Sequence, residues 1–190
     1  MRRLTVFNQL SLDGYFVDSR GDMSWAHRDD AEWRAFVAEN SGGGGALLFG
    51  RVTYELMASF WPTEAGRAAD AAVAERMTQM PKYVVSRTLA APRWANTTVL
   101  AGDLVAEVRS LKAESGPDVT ILGSGTIIPP LTDAGLIDEY QLVANPVVLG
   151  SGRTIFDGVG RRVALALTRT RGFANGNVVS WYAPAGSASA

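Results

Sequence analysis

The sequence predicts an α/β fold in which helices cover a largely parallel β-sheet that ends in antiparallel strands. Apolar, β-branched segments alternate with helix-like segments over most of the chain, and strand-like segments dominate near the C-terminus. Alternating strands and helices favour parallel pairing, whereas consecutive strands pair antiparallel. Neither an internal repeat nor a long linker interrupts the pattern. We therefore expect one domain over residues 1–183, followed by a disordered tail over residues 184–190.

The individual elements follow from the spacing of apolar residues and from the residues that stop each segment. Strands are predicted at residues 4–8, 46–49, 83–85, 119–122, 138–143, 163–170 and 178–182. Trp33, Phe36 and Val37 share one helical face, which predicts a helix from Asp29 or Asp30 to about residue 40. A long polar loop precedes this helix. The other helices are expected after Gly50, over residues 65–80, from Asp103 to residue 115, and from Pro129 onward.

Composition excludes several classes of function. Lys and Arg number 18 and Asp and Glu 19, and this balance gives no general attraction to nucleic acid or to an anionic membrane. Cysteine is absent and histidine occurs once, which excludes disulfides, thiolate zinc sites and multi-histidine metal centres. The chain also lacks the run of about 20 apolar residues that a membrane span needs. We expect a cytoplasmic protein that holds no metal and acts on a small molecule.

Three loops that follow predicted strands carry residues suited to an anion. Gly50-Arg51 opens a helix, where backbone N–H groups and a guanidinium come together. Ser86-Arg87-Thr88 places two hydroxyls around a guanidinium. Gly123-Ser124-Gly125-Thr126 lets backbone amides approach a pyrophosphate, although it matches neither a Walker A loop nor the Rossmann fingerprint. Each loop alone is also explained as an ordinary turn. Together, at the carboxyl ends of strands, they indicate a dinucleotide phosphate site.

Further motifs join these loops in an order that spans nearly the whole chain. The segments are Ser11-Leu12-Asp13-Gly14, residues 47–55, residues 82–89, Gly123-Ser124-Gly125-Thr126, residues 135–140 and residues 146–152. This order resembles the dihydrofolate reductase superfamily, and within it the reductase domain at the C-terminus of the bifunctional deaminase-reductase of riboflavin biosynthesis. The resemblance implies a dihydrofolate reductase-like three-layer α-β-α sandwich that binds NADPH.

The resemblance also implies where NADPH lies. From the adenosine end to the nicotinamide end, it assigns Gly50, Arg51 and Thr53 to the adenosine side and phosphates, Ser86, Arg87 and Thr88 to the 2′-phosphate, Gly123, Ser124, Gly125 and Thr126 to the pyrophosphate, and Asn8, Leu10 and Gly14 to the neighbourhood of the nicotinamide.

A substrate with a C=N bond gains a proton as well as a hydride, so a nearby acid assists. In dihydrofolate reductases an acidic residue on the first helix has this role, and the resemblance implies Glu32, with Asp29 and Asp30 close by and Asp13 as the alternative. A helix N-terminus and a turn explain the same carboxylates equally well. Two interpretations stay open for a further set of side chains, namely contact with a flat substrate, or ordinary packing and exposure. The set is Trp25, His27, Tyr54, Phe60 and Trp61.

Three functions therefore remain open at this stage. The first is an NADPH-dependent reductase of a pyrimidine- or pterin-like heterocycle, resembling 5-amino-6-(5-phosphoribosylamino)uracil reductase. The others are dihydrofolate reductase itself and a nucleotide-binding module without catalysis. Residues 51–55 stand where the riboflavin-type domain has an Asp-Asp-Pro segment and are closer to dihydrofolate reductase. Riboflavin-type relatives pair, so we expect a homodimer supported by the apolar residues 146–149.

Overall fold

The computed structural model describes residues 1–26, 30–41 and 45–186. Its strands are β1 (Leu4–Ser11), β2 (Tyr15–Asp18), β3 (Ala46–Gly50), β4 (Lys82–Val85), β5 (Thr97–Leu100), β6 (Val119–Leu122), β7 (Glu139–Asn145), β8 (Gly152–Thr154), β9 (Leu165–Gly172) and β10 (Val178–Pro184). Its α-helices are α1 (Ala31–Ser41), α2 (Arg51–Phe60), α3 (Glu64–Ala69), α4 (Ala71–Gln79), α5 (Leu104–Ala113) and α6 (Ile128–Asp133).

One eight-stranded sheet organises the molecule, in the order β5-β4-β3-β6-β1-β7-β10-β9. The strands from β5 to β7 are parallel, while β10 runs antiparallel to both β7 and β9. This confirms the predicted α/β class with its antiparallel C-terminal strands. Because the parallel strands share one direction, their carboxyl ends form a single edge of the sheet, called the carboxyl edge below.

Apolar residues cover both faces of this sheet and create three layers. On one face, Leu4, Val6 and Ile121 pack with residues of α5 and α6, such as Leu111 and Leu131. On the other face, two clusters lie side by side. One joins β3 and β4 to α2 and α4, and the other joins β7 and β10 to α1. The alternation of side chains along each strand therefore produces the predicted α-β-α sandwich.

Short elements account for the differences from the predicted pattern. The long polar loop after β1 contains β2, which pairs with β8, and a 3-10 helix at Ser24–Ala26. Strands of three or four residues at the surface carry too little periodicity to be recognised. The helix expected over residues 65–80 is two helices, because Asp70 adopts an extended conformation and its carboxylate caps α4 at the N–H of Val73.

The first two residues of the expected C-terminal tail are part of the ordered fold. Pro184 is the last residue of β10, and the N–H of Ala185 donates to the carbonyl of Ala164. The rest of the expected tail, residues 187–190, lies outside the described residues. So do residues 42–44, His27 and Asp29.

Residues 135–140, one of the motifs quoted above, are held in place by an ion pair. Lys112 on α5 pairs with Asp138 and also donates to the carbonyl of Leu136 at 2.6 Å. The Asp138 carboxylate accepts the N–H of Leu4 at 2.7 Å. Residues 135–140 therefore tie α5, β1 and the start of β7 together, at the opposite edge of the sheet from the carboxyl edge. Within the described ranges, no helix has the length and apolarity needed to cross a membrane.

Candidate functional site

The residues assigned to cofactor binding lie along one edge of the sheet. β4, β3, β6 and β1 are consecutive parallel neighbours, so their carboxyl ends lie side by side. Ser86 follows β4, Gly50 ends β3, Gly123 follows β6, and Asn8 and Leu10 lie near the end of β1. Segments that are distant in sequence thus meet at one place, which is the arrangement that a dinucleotide spanning several strands requires.

Ser124 is the centre of a hydrogen-bond network that joins three of these strand ends. Its hydroxyl accepts the N–H of Gly50 at 3.0 Å and donates to the carbonyl of Leu122 at 2.9 Å. Its backbone N–H donates to the Thr53 hydroxyl at 3.2 Å. The amide of Asn8 donates to the carbonyl of Gly123 at 3.2 Å. The loop after β6 is therefore held rigidly against β1 and against the start of α2.

The backbone of this loop leaves donors for a ligand. Gly123 and Ser124 both have left-handed φ angles, of 57° and 61°, and the hydrogen bonds of Ser124 compensate for the strain at that residue. The backbone N–H groups of Gly125 and Thr126 donate no hydrogen bond within the part of the chain that the structure describes. Two amides beside a helix start are suited to the oxygens of a phosphate.

Two arginines at this edge, Arg51 and Arg87, differ in whether they form an ion pair. Arg87 is exposed and makes no ion pair with a described residue. Beside it, the Ser86 hydroxyl accepts the N–H groups of Thr88 and Leu89 at 3.1 and 3.0 Å, and its own proton can still be donated. Arg51 instead pairs with Glu55 at 2.9 Å on the surface of α2. Of these two arginines, Arg87, just after β4, is therefore the one whose charge is not paired.

Two contacts at this edge had no signal in the sequence. The ring of Phe16 on β2 covers Gly125 so closely that a Cβ at that glycine would lie 2.6 Å from the ring. The guanidinium of Arg153 on β8 lies 5.4 Å from the centre of the same ring. Because β2 and β8 become neighbours only by pairing with each other, sequence spacing does not reveal that either residue is near the loop after β6.

Asp13, the alternative to Glu32 as the acid, is held by backbone N–H groups. Its carboxylate accepts the N–H of Leu149 at 3.1 Å and the N–H of Gly150 at 2.7 Å. The Ser11 hydroxyl and these two backbone groups lower the pKa of Asp13 to about 2. These contacts stabilise the ionised form of the carboxylate. Asp13 fixes the turn after β1 to the segment after β7, and Gly14 closes that turn with φ 90°.

Glu32 also has a different environment from the one expected. Its carboxylate pairs with Arg171 at 3.1 Å, accepts the N–H of Ala174 at 3.4 Å, and is 45% exposed. Trp33, the next residue along the chain, is buried edge-on against Phe173. Glu32 at the start of α1 therefore binds the end of β9 and the turn that follows it.

The aromatic side chains considered for contact with a flat substrate have different surroundings. Tyr54 is 2% exposed, and its hydroxyl accepts the N–H of Trp94, so it belongs to the core. Trp61 is half-buried, with its indole N–H directed at the sulfur of Met57, and Phe60 is exposed beside it. The indole N–H of Trp25 donates to the carbonyl of Asp22.

A model of the RibD C-terminal domain matches residues 2–179 of the chain. The chain belongs to this family. Two curated relatives in Bacillus subtilis strain 168 are uncharacterised proteins. YyaP is 28% identical, with 93% of this chain and 92% of YyaP covered, and YwjB is 23% identical, with coverages of 90% and 92%.

Solved structures confirm that this RibD C-terminal domain has the expected fold. A candidate riboflavin biosynthesis protein from Shewanella sp. PV-4 superposes with a TM-score of 0.73 at 23% identity, covering 96% of this chain and 98% of that one. A diaminohydroxyphosphoribosylaminopyrimidine deaminase/5-amino-6-(5-phosphoribosylamino)uracil reductase from Thermotoga maritima gives 0.68 at 17% identity, covering 96% of this chain and 56% of that one.

Within this RibD C-terminal domain, Asp30 is the carboxylate at the start of α1 that has a buried oxygen without a partner in the described ranges. One of its oxygens accepts the N–H of Glu32 at 2.8 Å and caps α1. Its other oxygen is buried and has no hydrogen-bond partner in the described ranges. The resemblance implied Asp30 only as a neighbour of Glu32.

The low pKa of Asp13 predicts how stability depends on pH. Its pKa is about 2 in the folded chain against an unperturbed 3.8, so its stabilising contribution is complete above about pH 4 and is lost as the pH falls towards 2. We expect Asp13→Asn to remove part of the fall in unfolding free energy over this range, as measured by urea unfolding at a series of pH values. The exposed Asp157→Asn is the control and keeps the wild-type slope. Equal slopes for Asp13→Asn and the wild type would contradict the assignment.

Proposed function

We propose that this RibD C-terminal domain protein is a reductase that uses NADPH to transfer a hydride to a pyrimidine- or pterin-like heterocycle. The observation that carries the proposal is the alignment of four neighbouring strand ends, with two unused amides after β6 and the unpaired Arg87 after β4. The names of two structural neighbours support it, since one is a uracil reductase of T. maritima and the other a pyrimidine reductase-like protein of Corynebacterium diphtheriae. The C. diphtheriae protein is 12% identical, with a TM-score of 0.65.

The residues present fit this cofactor. The amides of Gly125 and Thr126 would hold the pyrophosphate, while Ser86 and Arg87 would donate to the 2′-phosphate. The nicotinamide would reach β1, which lies on the other side of β6 from β3. Asn8 and Leu10 lie near the end of β1, and Gly14 lies in the turn that follows it. NADPH supplies the hydride, and the protein contributes position, electrostatics and a route for the proton.

Turnover experiments decide between this function and the alternatives. We expect NADPH to be oxidised when aminopyrimidine or pterin substrates are added. Oxidation with dihydrofolate alone, together with tight methotrexate binding, would instead identify dihydrofolate reductase. Tight NADPH binding without oxidation by any of these compounds would identify a nucleotide-binding module.

Cofactor selectivity is expected to depend on Arg87. A charge-assisted contact with the 2′-phosphate contributes about 1.5–3 kcal/mol, so NADPH should bind roughly ten- to hundredfold more tightly than NADH. We expect Arg87→Ala to reduce this preference by most of that factor in calorimetric titrations. Arg93→Ala, which removes another exposed arginine of the same connection, should leave the preference unchanged. Equal affinities of the native protein for both cofactors would exclude the assignment.

We further propose that Asp30 delivers the proton, and a pair of neighbouring variants tests this. Asp30→Asn retains a good N-cap but removes the acid, and it should lower turnover by about 10²-fold while the affinity for NADPH stays unchanged. Glu32→Gln, which breaks only the contacts with the β9–β10 turn, should retain most of the turnover. If Asp30→Asn keeps full turnover, an ordered water must supply the proton.

We also propose that the protein is a cytoplasmic homodimer. Val148, in the apolar segment after β7, is 66% exposed, and Leu12 beside it is 68% exposed. An apolar patch of this kind is suited to a second copy of the chain. Light scattering at micromolar concentration should give the mass of a dimer, and Val148→Asp should give a monomer. Val52→Asp, at a similarly exposed position on α2, should remain dimeric. A monomeric wild type would refute the pairing.

A further inference from the structure

The loop after β6 offers backbone donors to a phosphate but carries no positive charge of its own. The N–H groups of Gly125 and Thr126 donate no hydrogen bond within the described residues. Arg51 is paired with Glu55, and Arg87 follows β4, which β3 separates from β6. Two strand spacings amount to about 10 Å. Because a pyrophosphate is negatively charged on both of its phosphates, we expect a further cation beside this loop.

A third arginine approaches this loop from the β2–β8 ribbon, the two-stranded sheet formed by β2 and β8. The guanidinium of Arg153 lies over the Phe16 ring, 5.4 Å from its centre. The tip of the same ring lies against Gly125, 2.6 Å from the place that a Cβ would take there. Arg153 is exposed, and it forms neither an ion pair nor a side-chain hydrogen bond with a described residue. A single aromatic ring therefore connects an unpaired cation to the loop with the free amides.

The backbone that carries Arg153 has a fixed place. Arg153 pairs with Val17 across the ribbon, and a Cβ at Gly152 would lie 2.1 Å from the carbonyl oxygen of Val17. Only glycine therefore lets the two strands approach this closely. The segment before β8 is attached to the turn after β1, because the Asp13 carboxylate accepts the N–H of Gly150 at 2.7 Å. Only the side chain of Arg153 needs to turn towards a ligand.

Contact with Phe16 makes this arginine suitable for binding a phosphate. A guanidinium over a ring is attracted by the ring face, while the N–H groups at its edge stay available. These N–H groups form a planar fork that matches two phosphate oxygens. The ring also restricts the side chain before a ligand arrives, which reduces the conformational entropy lost on binding.

We propose that Arg153 binds the pyrophosphate of a dinucleotide, which is then held between the guanidinium on β8 and the amides after β6. Phe16 is a positioning residue that keeps the guanidinium beside Gly125. The proposal rests on the proposed function for the identity of the dinucleotide. Its effect differs from that of Arg87, because the 2′-phosphate occurs in NADPH alone, whereas NADPH, NADH and ADP-ribose share the pyrophosphate.

Calorimetric titration of Arg153→Gln with NADPH, NADH and ADP-ribose tests the proposal. We expect the variant to bind all three compounds about tenfold more weakly than the wild type, with the ratio of NADPH to NADH affinity unchanged. Arg153→Lys, which keeps the charge, should retain more of the affinity than Arg153→Gln. Added salt should weaken binding to the wild type more than binding to Arg153→Gln, because one charge contact is missing in the variant.

The role of Phe16 is tested by combining two substitutions. Phe16→Leu keeps an apolar side chain but removes the ring face, so it should lower the affinity for ADP-ribose. Adding Arg153→Gln to Phe16→Leu should then cost less affinity than it does in the wild type, because the two residues act together. Fully additive losses would show that the ring does not position the guanidinium.

Arg20→Gln is the matched control. Arg20 lies just after β2 on the same ribbon, but it is paired with Asp18 at 3.3 Å, and this variant should keep wild-type affinity for all three compounds. Equal binding of ADP-ribose to Arg153→Gln and the wild type, a loss confined to NADPH, or no binding to the wild type would overturn the proposal. Binding of ADP-ribose that depends on Arg153, without oxidation of NADPH by any substrate, would refute the reductase and leave the pyrophosphate site standing.

Discussion

The parallel pairing of β1 with both of its neighbours is the constraint on which the rest of the molecule depends. Main-chain hydrogen bonds place β6 on one side of β1 and β7 on the other, all in the same direction. Every connection that follows one of these strands therefore emerges at the same edge. Without that alignment, the loop after β6 would not be within reach of Asn8 on β1.

Rigid attachment at this edge is achieved largely by neutral groups and by carboxylates that bind backbone amides. Ser124 joins three segments through its hydroxyl and its N–H. Asp13 joins the turn after β1 to the segment after β7. Because these groups satisfy internal donors and acceptors, they position the edge and leave Arg87 and the amides of Gly125 and Thr126 for a ligand. The contacts of Asp13 with backbone N–H groups also stabilise its ionised form.

The carboxyl edge divides into two halves with different chemistry. The half formed by β4, β3 and β6 presents backbone amides, hydroxyls and a free guanidinium, which suit phosphates. The half formed by β1, β7 and β10 presents the buried carboxamides of Asn145 and Asn177. The antiparallel addition of β10 is what brings Asn177 opposite Asn145. The C-terminal strands therefore complete the sheet and also bring Asn177 next to Asn145.

The sequence by itself determined the α/β class, most strands and helices, the RibD-like resemblance and the three phosphate-suited loops. These follow from local periodicity, from turn residues and from short motifs, all of which act over a few positions. Only the tertiary structure decided how Asp13 and Glu32 differ, because their partners Leu149 and Arg171 are more than a hundred positions away. It likewise decided that Phe16 covers Gly125 and that Asn177 lies next to Asn145. Strand pairing sets these contacts, and the spacing of residues along the chain contains no record of it.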